Sequence, residues 1–159
     1  METSGKLKYV LSYIVFLFIN FGGLALGGIW TNVGTSSEWY ANLNIAPWTP
    51  PGWVFGAAWT TIGLTFSALM AYAWVKKNVE LLILFFPSLI LNILWNPVFF
   101  GIHQLWLAGG IITILSLLIY FIVDISRKQW GWKIASLGLP YFVWLMIATS
   151  LNLFSAIMN

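Results

Sequence analysis

Long apolar stretches alternate along this chain with short polar segments that hold all of its charge. A helix rises ~1.5 Å per residue, so about 20 apolar residues cross a hydrocarbon core ~30 Å thick. Five stretches approach or exceed that length, over residues 9–30, 53–75, 81–103, 105–123 and 134–158, and no Lys, Arg, Asp or Glu falls inside them. Lipid offers the backbone no hydrogen-bond partners, so each spanning segment must bond within itself. No period-2 alternation points to a barrel. The pattern predicts an all-α fold, an integral membrane bundle of five transmembrane helices, forming one domain over residues 1–159.

The polar segments carry the next layer of information. Residues 31–52 form the one sizeable connection, and it ends in Pro47-Trp48-Thr49-Pro50-Pro51-Gly52. Proline locks φ and removes donors, which predicts a stiff, extended lid here. Pro51 stands just before the second span, where a missing N–H costs little. Lys6 and Lys8 precede the first span, Lys76 and Lys77 follow the second, and Arg127, Lys128 and Lys133 separate the fourth from the fifth. By the positive-inside rule the N-terminus is expected in the cytoplasm and the C-terminus outside, with the sides renamed if the membrane is that of an organelle.

Composition agrees. The chain is 60% hydrophobic and 7% charged, with a mean hydropathy of +0.89, where soluble domains carry about 25% charged residues. The formal charge of +3 comes from scattered residues at span ends and does not predict nucleic-acid binding. With no cysteine there is no disulfide framework. The first apolar run is longer than a signal peptide's apolar core of about 7–15 residues, so no cleaved leader is expected.

Candidate chemistry sits inside the spans, where polar groups are costly. Asn92 lies near the centre of the third span, and Asn96 is one turn further out on the same face. Trp95 flanks them. Asn152 lies two turns beyond Trp144 in the fifth span, with Ala148 between. Trp59 is about 9 Å below the outer end of the second span. These groups concentrate between the midplane and the side bearing the lid, which predicts an indole-walled cavity in the outer half of the bundle. Buried asparagines also serve as interhelical glue, worth ~0.6–2 kcal/mol, and both readings of Asn92 and Asn96 stand at this point. Tryptophans at span ends, such as Trp30, Trp74, Trp106 and Trp132, fit interfacial anchors. Gly23-x-x-x-Gly27 permits close backbone approach, within the molecule or in a dimer. His103 is the only histidine, which makes a metal site improbable. There is no phosphate-binding loop, no nucleophile motif and no acid within a span, so no conventional catalytic site and no required cofactor are expected.

Three blocks carry a resemblance to a known family. They are Trp39-Tyr40-Ala41-Asn42-Leu43 running into Pro47-Trp48-Thr49-Pro50-Pro51-Gly52-Trp53-Val54-Phe55 and on to Trp59; Leu91-Asn92-Ile93-Leu94-Trp95-Asn96-Pro97-Val98-Phe99-Phe100-Gly101; and Pro140-Tyr141-Phe142-Val143-Trp144 with Ala148-Thr149-Ser150-Leu151-Asn152. The chain resembles, over essentially its whole length, the translocator protein family, TspO/MBR, which includes the tryptophan-rich sensory proteins and the peripheral benzodiazepine receptors. The resemblance implies a five-helix bundle, often a homodimer, with a ligand pocket beneath the first loop. It implies binding of porphyrins such as protoporphyrin IX, as ligand or as substrate. The ligand-binding candidates are Trp39, Tyr40, Trp48, Pro50, Pro51 and Trp53 in the loop block, and Trp59, Asn92, Trp95, Asn96, Tyr141, Trp144 and Ala148 in the spans. In similar bacterial proteins, light-dependent porphyrin breakdown is attributed to tryptophans that match Trp59 and Trp144. The sterol motif of animal members, with its Tyr and basic residue, has no counterpart in Leu151–Met158, which argues against high-affinity sterol binding.

Three functions follow as expectations: a membrane receptor or sensor of tetrapyrroles that regulates porphyrin metabolism, a light-dependent porphyrin-degrading enzyme, or a transporter of porphyrins or other small hydrophobic ligands. No inverted repeat or charged pathway supports transport.

Overall fold

Among residues 2–159, which the computed structural model describes with side chains from Gly5 onward, five helices are long and apolar enough to cross a membrane. Helix α1 covers Glu2–Thr35, α2 Glu38–Ala41, α3 Gly52–Val75, α4 Val79–Asn96, α5 Leu105–Trp130, α6 Trp132–Ala135 and α7 Leu139–Met158. A π-turn, Pro97–Gly101, continues α4, and a 3₁₀ turn, Ser136–Gly138, joins α6 to α7. No strand occurs among the described residues.

Several element ends differ from the hydropathy reading. The connection expected from residue 31 begins after Thr35, because the helix outlasts the apolar run. The Thr35 hydroxyl donates to the Thr31 carbonyl at 2.8 Å and so travels with the helix instead of breaking it. Nor is the lid extended throughout. Ser37 caps α2 by accepting from the Tyr40 N–H at 3.2 Å, and the longer non-helical stretch follows that turn. Helix α5 continues past residue 123 to Trp130, where Asp124 pairs with Arg127 and Lys128 one turn on, at 2.8 and 2.7 Å.

The prolines act differently from one another. Pro87 sits inside α4 without ending it, and the neighbouring Ser88 hydroxyl donates to the Phe85 carbonyl at 2.7 Å. Pro97 starts the π-turn, and Pro140 lies in the first turn of α7, where its missing N–H is no loss.

The five spans close into a ring: α1 against α3 and α4, α5 against α4 and α7, and α3 against α7. Apolar side chains gain little by leaving lipid tails for one another, so close packing must hold such a ring together. Glycine supplies it at α1. A Cβ on Gly27 would lie 2.5 Å from Asn96 Nδ2, and one on Gly23 would lie 2.9 Å from Leu89 Cδ1. The Gly23-x-x-x-Gly27 seam is therefore used inside the molecule, against α4.

Basic residues cluster at one end of the ring, at the start of α1, between α3 and α4, and around the α5–α6 junction. That half has a dense core. Met70, Leu81, Phe85, Ile119 and Ile122 are fully buried, and the Phe66 ring meets Phe85 at 6.0 Å and Tyr141 at 5.1 Å. Toward the opposite end the helices part around a cavity.

Candidate functional site

The cavity has a volume of about 820 Å³ and takes lining residues from all five spans and from the loop after α1. Its deep end is apolar, with Ile112 and Leu115 of α5 and Leu145 of α7. Three indoles join them in the wall. The Trp59 and Trp144 ring centroids are 6.5 Å apart at an interplanar angle of 75°. Trp144 also meets Phe55 edge-on at 5.1 Å and is 5% exposed. Trp95 is stacked on Phe99 at 5.0 Å, and its N–H donates to Asn152 Oδ1 at 2.8 Å. Asn152 in turn donates to the Leu105 carbonyl at 2.9 Å, so one buried amide ties α4, α5 and α7 together.

The two asparagines of α4 have separate roles. Asn96 is committed: its Oδ1 accepts from the Thr31 hydroxyl at 2.7 Å, and its Nδ2 donates to the Asn92 carbonyl at 3.0 Å. It is glue between α1 and α4. The Asn92 side chain takes no hydrogen bond among the described residues, where no buried side-chain nitrogen or oxygen lacks a partner, and the residue lines the cavity. Its amide opens into the cavity with one acceptor oxygen and two N–H donors to offer. The ring N–H groups of Trp59 and Trp144 are likewise unbonded within the described protein.

The loop roofs the cavity with Tyr40, Ile45, Thr49 and Pro50. Burial of the Tyr40 phenol pushes its pKa above the ordinary tyrosine value, so it stays neutral. The roof is fastened at several points. Trp39 stacks on His103 with centroids 3.9 Å apart, and His103 holds a left-handed φ of 58° where the π-turn ends. Trp48 donates to the Ser150 hydroxyl at 3.2 Å and packs edge-on against Phe154 at 5.1 Å. Asn44 donates to Asn159 Oδ1 from its backbone at 3.0 Å, and the Asn159 amide donates back to the Asn44 carbonyl at 3.2 Å.

Of the residues expected at the site, Tyr40, Pro50, Trp59, Asn92, Trp95, Asn96, Trp144 and Ala148 line the cavity. The others lie outside it. Trp39 and Trp48 face away as fasteners of the roof, each held by the contacts just described. Pro51 is spent on starting α3, and Trp53, one residue into that helix, is 75% exposed on its outer face. Tyr141 lies beneath the cavity, packed between Trp59 and Phe66, and supports the wall from behind.

Sequence reasoning missed the wall that α1 supplies. Thr31, Asn32 and Thr35 line the cavity although they fall beyond the apolar run, as do Gly23 and Gly28 within it. The spacing of Thr31, Asn32 and Thr35, one helical turn, was the available signal. Gly28 adds space, since a Cβ there would meet nothing within 4 Å.

Comparison with known proteins agrees with this architecture. A profile described as the TspO/MBR family matches residues 14–157. The tryptophan-rich protein TspO of Archaeoglobus fulgidus is 31% identical over 156 residues, 96% of this chain and 97% of that protein. The tryptophan-rich sensory protein of Cereibacter sphaeroides is 34% identical over 116 residues, covering 72% of this chain and 73% of its own. The human translocator protein is 30% identical over 126 residues, 75% of this chain and 73% of its own. With five spanning helices closed around an indole-walled cavity, this multi-pass integral membrane protein belongs to the TspO/MBR family.

Proposed function

We propose that the protein is a membrane receptor for tetrapyrroles of the protoporphyrin class, acting as a sensor in porphyrin metabolism. The observation that carries this reading is the pairing of Trp59 and Trp144 with the free amide of Asn92 in one cavity of about 820 Å³. Drug-sized ligand pockets run to roughly 300–1,000 Å³, mostly apolar with a few placed polar groups. A flat macrocycle offers π-faces to indoles and ring nitrogens to an amide. Its carboxylates can reach the threonine hydroxyls and Asn32 at the outer rim. The name of the Cereibacter sphaeroides relative, a sensory protein, favours a signalling role. In this reading the basic end faces the cytoplasm of a bacterial cell, which the positive-inside rule supports, and the cavity opens toward the outer half of the membrane. Titration with protoporphyrin IX in detergent, followed by its absorbance shift, tests the reading. A saturable one-to-one shift supports it, and none at micromolar ligand sinks it.

A second reading is light-driven porphyrin oxidation. The separation of Trp59 and Trp144 supports it, since two indoles in contact beside a bound ring can relay an electron: the excited ring takes one from an indole and passes it to dissolved dioxygen, the oxidant, the indole radical recovers one from the ring, and the ring cation and superoxide so formed combine. The chemistry would belong to the ligand, with the protein supplying position and donor. Illumination of the complex decides between the readings: a new pigment means chemistry, quenching without product means a receptor.

A further inference from the structure

A second recess lies at the basic end of the bundle, on the lipid-facing side, far from the indole cavity. It has a volume of about 560 Å³ and is walled by the first turns of the α1 span, the last turn of α3 and the first turn of α4. Two lysines from separate elements, Lys8 and Lys77, are among the residues that line it. The rest of the wall is Leu11, Trp74, Val75, Val79 and Leu82, with one hydroxyl at Ser12 that is satisfied by the Lys8 carbonyl at 2.8 Å. Leu11, Trp74 and Val79 are all exposed, so an apolar furrow runs outward from the charges.

Several other charges at this end are occupied elsewhere, and Lys6 and Lys133 do not line the recess. Asp124 takes both Arg127 and Lys128. Lys76 lies over the Tyr72 ring at 5.5 Å, and Tyr72 packs against Trp130 on the α5 side. Glu80 accepts from Gln129, again toward α5. Lys8 and Lys77 make no ion pair among the described residues, and no acid lines the recess. Lys77 is held at φ 54°, a left-handed backbone that L side chains rarely adopt, in the turn that brings it to the recess.

We propose that this recess is a binding site for one anionic phospholipid, its phosphate between Lys8 and Lys77 and an acyl chain along Leu11, Val79 and Leu82. Positive charge set at the end of an apolar furrow between spans is complementary to the charge and shape of such a lipid. A zwitterionic lipid fills the furrow as well but brings its own cation to the two lysines. The site is independent of the indole cavity, and its ligand is a membrane component, not a tetrapyrrole.

The test is native mass spectrometry of the full chain in neutral detergent, titrated with phosphatidylglycerol or with phosphatidylcholine of the same acyl chains. The first phosphatidylglycerol should be retained on the order of tenfold more tightly than phosphatidylcholine. Lys8→Gln/Lys77→Gln should bring the two lipids to parity, while Lys6→Gln/Lys133→Gln, which removes equal charge at the same end, should leave the preference intact. Leu11→Trp keeps both ammonium groups, fills the furrow, and should also abolish the preferred adduct. Inorganic phosphate in millimolar excess should not displace the lipid; displacement would make this a site for a free anion. Equal retention of the two lipids by the unaltered protein, equal loss in the two double variants, or an undiminished preference in Leu11→Trp would overturn the proposal.

Discussion

Asn92 and Asn96 show how far a single residue can be read. Both are amides on one face of one helix, four positions apart, yet only Asn96 is bonded through its side chain. Its partner, Thr31, stands 65 positions earlier in the chain, so no local pattern could reveal the difference. Removing Asn96 therefore removes structure: Asn96→Leu should lower stability by about 1–2 kcal/mol, visible as a shift in thermal unfolding in detergent. Asn92→Leu breaks no side-chain bond within the protein and should leave that unfolding nearly unchanged. Its effect should fall on ligand: a lost hydrogen bond to a bound porphyrin is worth roughly 0.5–1.5 kcal/mol, about two- to tenfold in Kd. If Asn92→Leu binds as tightly as the native protein, the amide does not meet the guest. The indoles divide in the same way. Trp95 is locked by Asn152, while Trp59 and Trp144 keep free N–H groups in the cavity. Trp59→Phe and Trp144→Phe keep an aromatic face and most of the packing, so porphyrin should still bind, within about tenfold. Any photoproduct should form much more slowly, as measured by absorbance under constant light. Product at the native rate in both variants would remove these side chains from the photochemistry.

At the scale of elements, hydropathy locates the spans but not the helix ends. It reports where the chain leaves lipid, and α1 leaves lipid before it stops being a helix. The five helical residues after the apolar run include Thr31, Asn32 and Thr35, whose side chains favour turns in isolation but here line a cavity from a continuing helix. Ser37 was a legible cap once that end is known, with Tyr40 three residues on. The loop was legible as stiff through its prolines, but not its fasteners, which depend on α7 folding back beside it. Two predictions belong here. Pro50→Gly/Pro51→Gly should loosen the roof and speed porphyrin dissociation more than it slows association, because a preordered loop loses less entropy on closing. Stopped-flow displacement measures it, and an unchanged off-rate would show that this loop is not the gate. Gly27→Ala places a Cβ against the Asn96 amide and should disturb its bond to Thr31, costing about 1–3 kcal/mol in unfolding measurements. A neutral effect would mean that α1 can move away from α4 freely.

The whole molecule was the most legible scale. Apolar length and the placement of seven basic residues suffice to predict five spans and opposite termini. Reporters fused at the two ends should label from opposite sides of the membrane, and labelling from one side would refute that topology. What hydropathy could not convey is the unequal filling of the two halves, since lipid-facing and cavity-facing apolar positions have the same composition. Leu115 and Leu117 read alike in sequence, yet Leu115 lies at the deep end of the cavity and Leu117 faces outward.

That unequal filling has a thermodynamic consequence. The half near the lysines completes its own packing, while the other half surrounds a space to which every spanning helix contributes a wall. A molecule seated there touches all five at once and supplies the contacts they do not make with each other. Occupancy then couples to the unfolding of the entire ring, adding about 2.7 kcal/mol at a ligand concentration one hundred times Kd. Backbone amides of α1 near Thr31 and of α3 near Phe55 should exchange with deuterium faster than those near Met70 in the empty protein. On filling, that gradient should flatten, so that the protein's rigidity becomes a measure of how much guest the membrane holds.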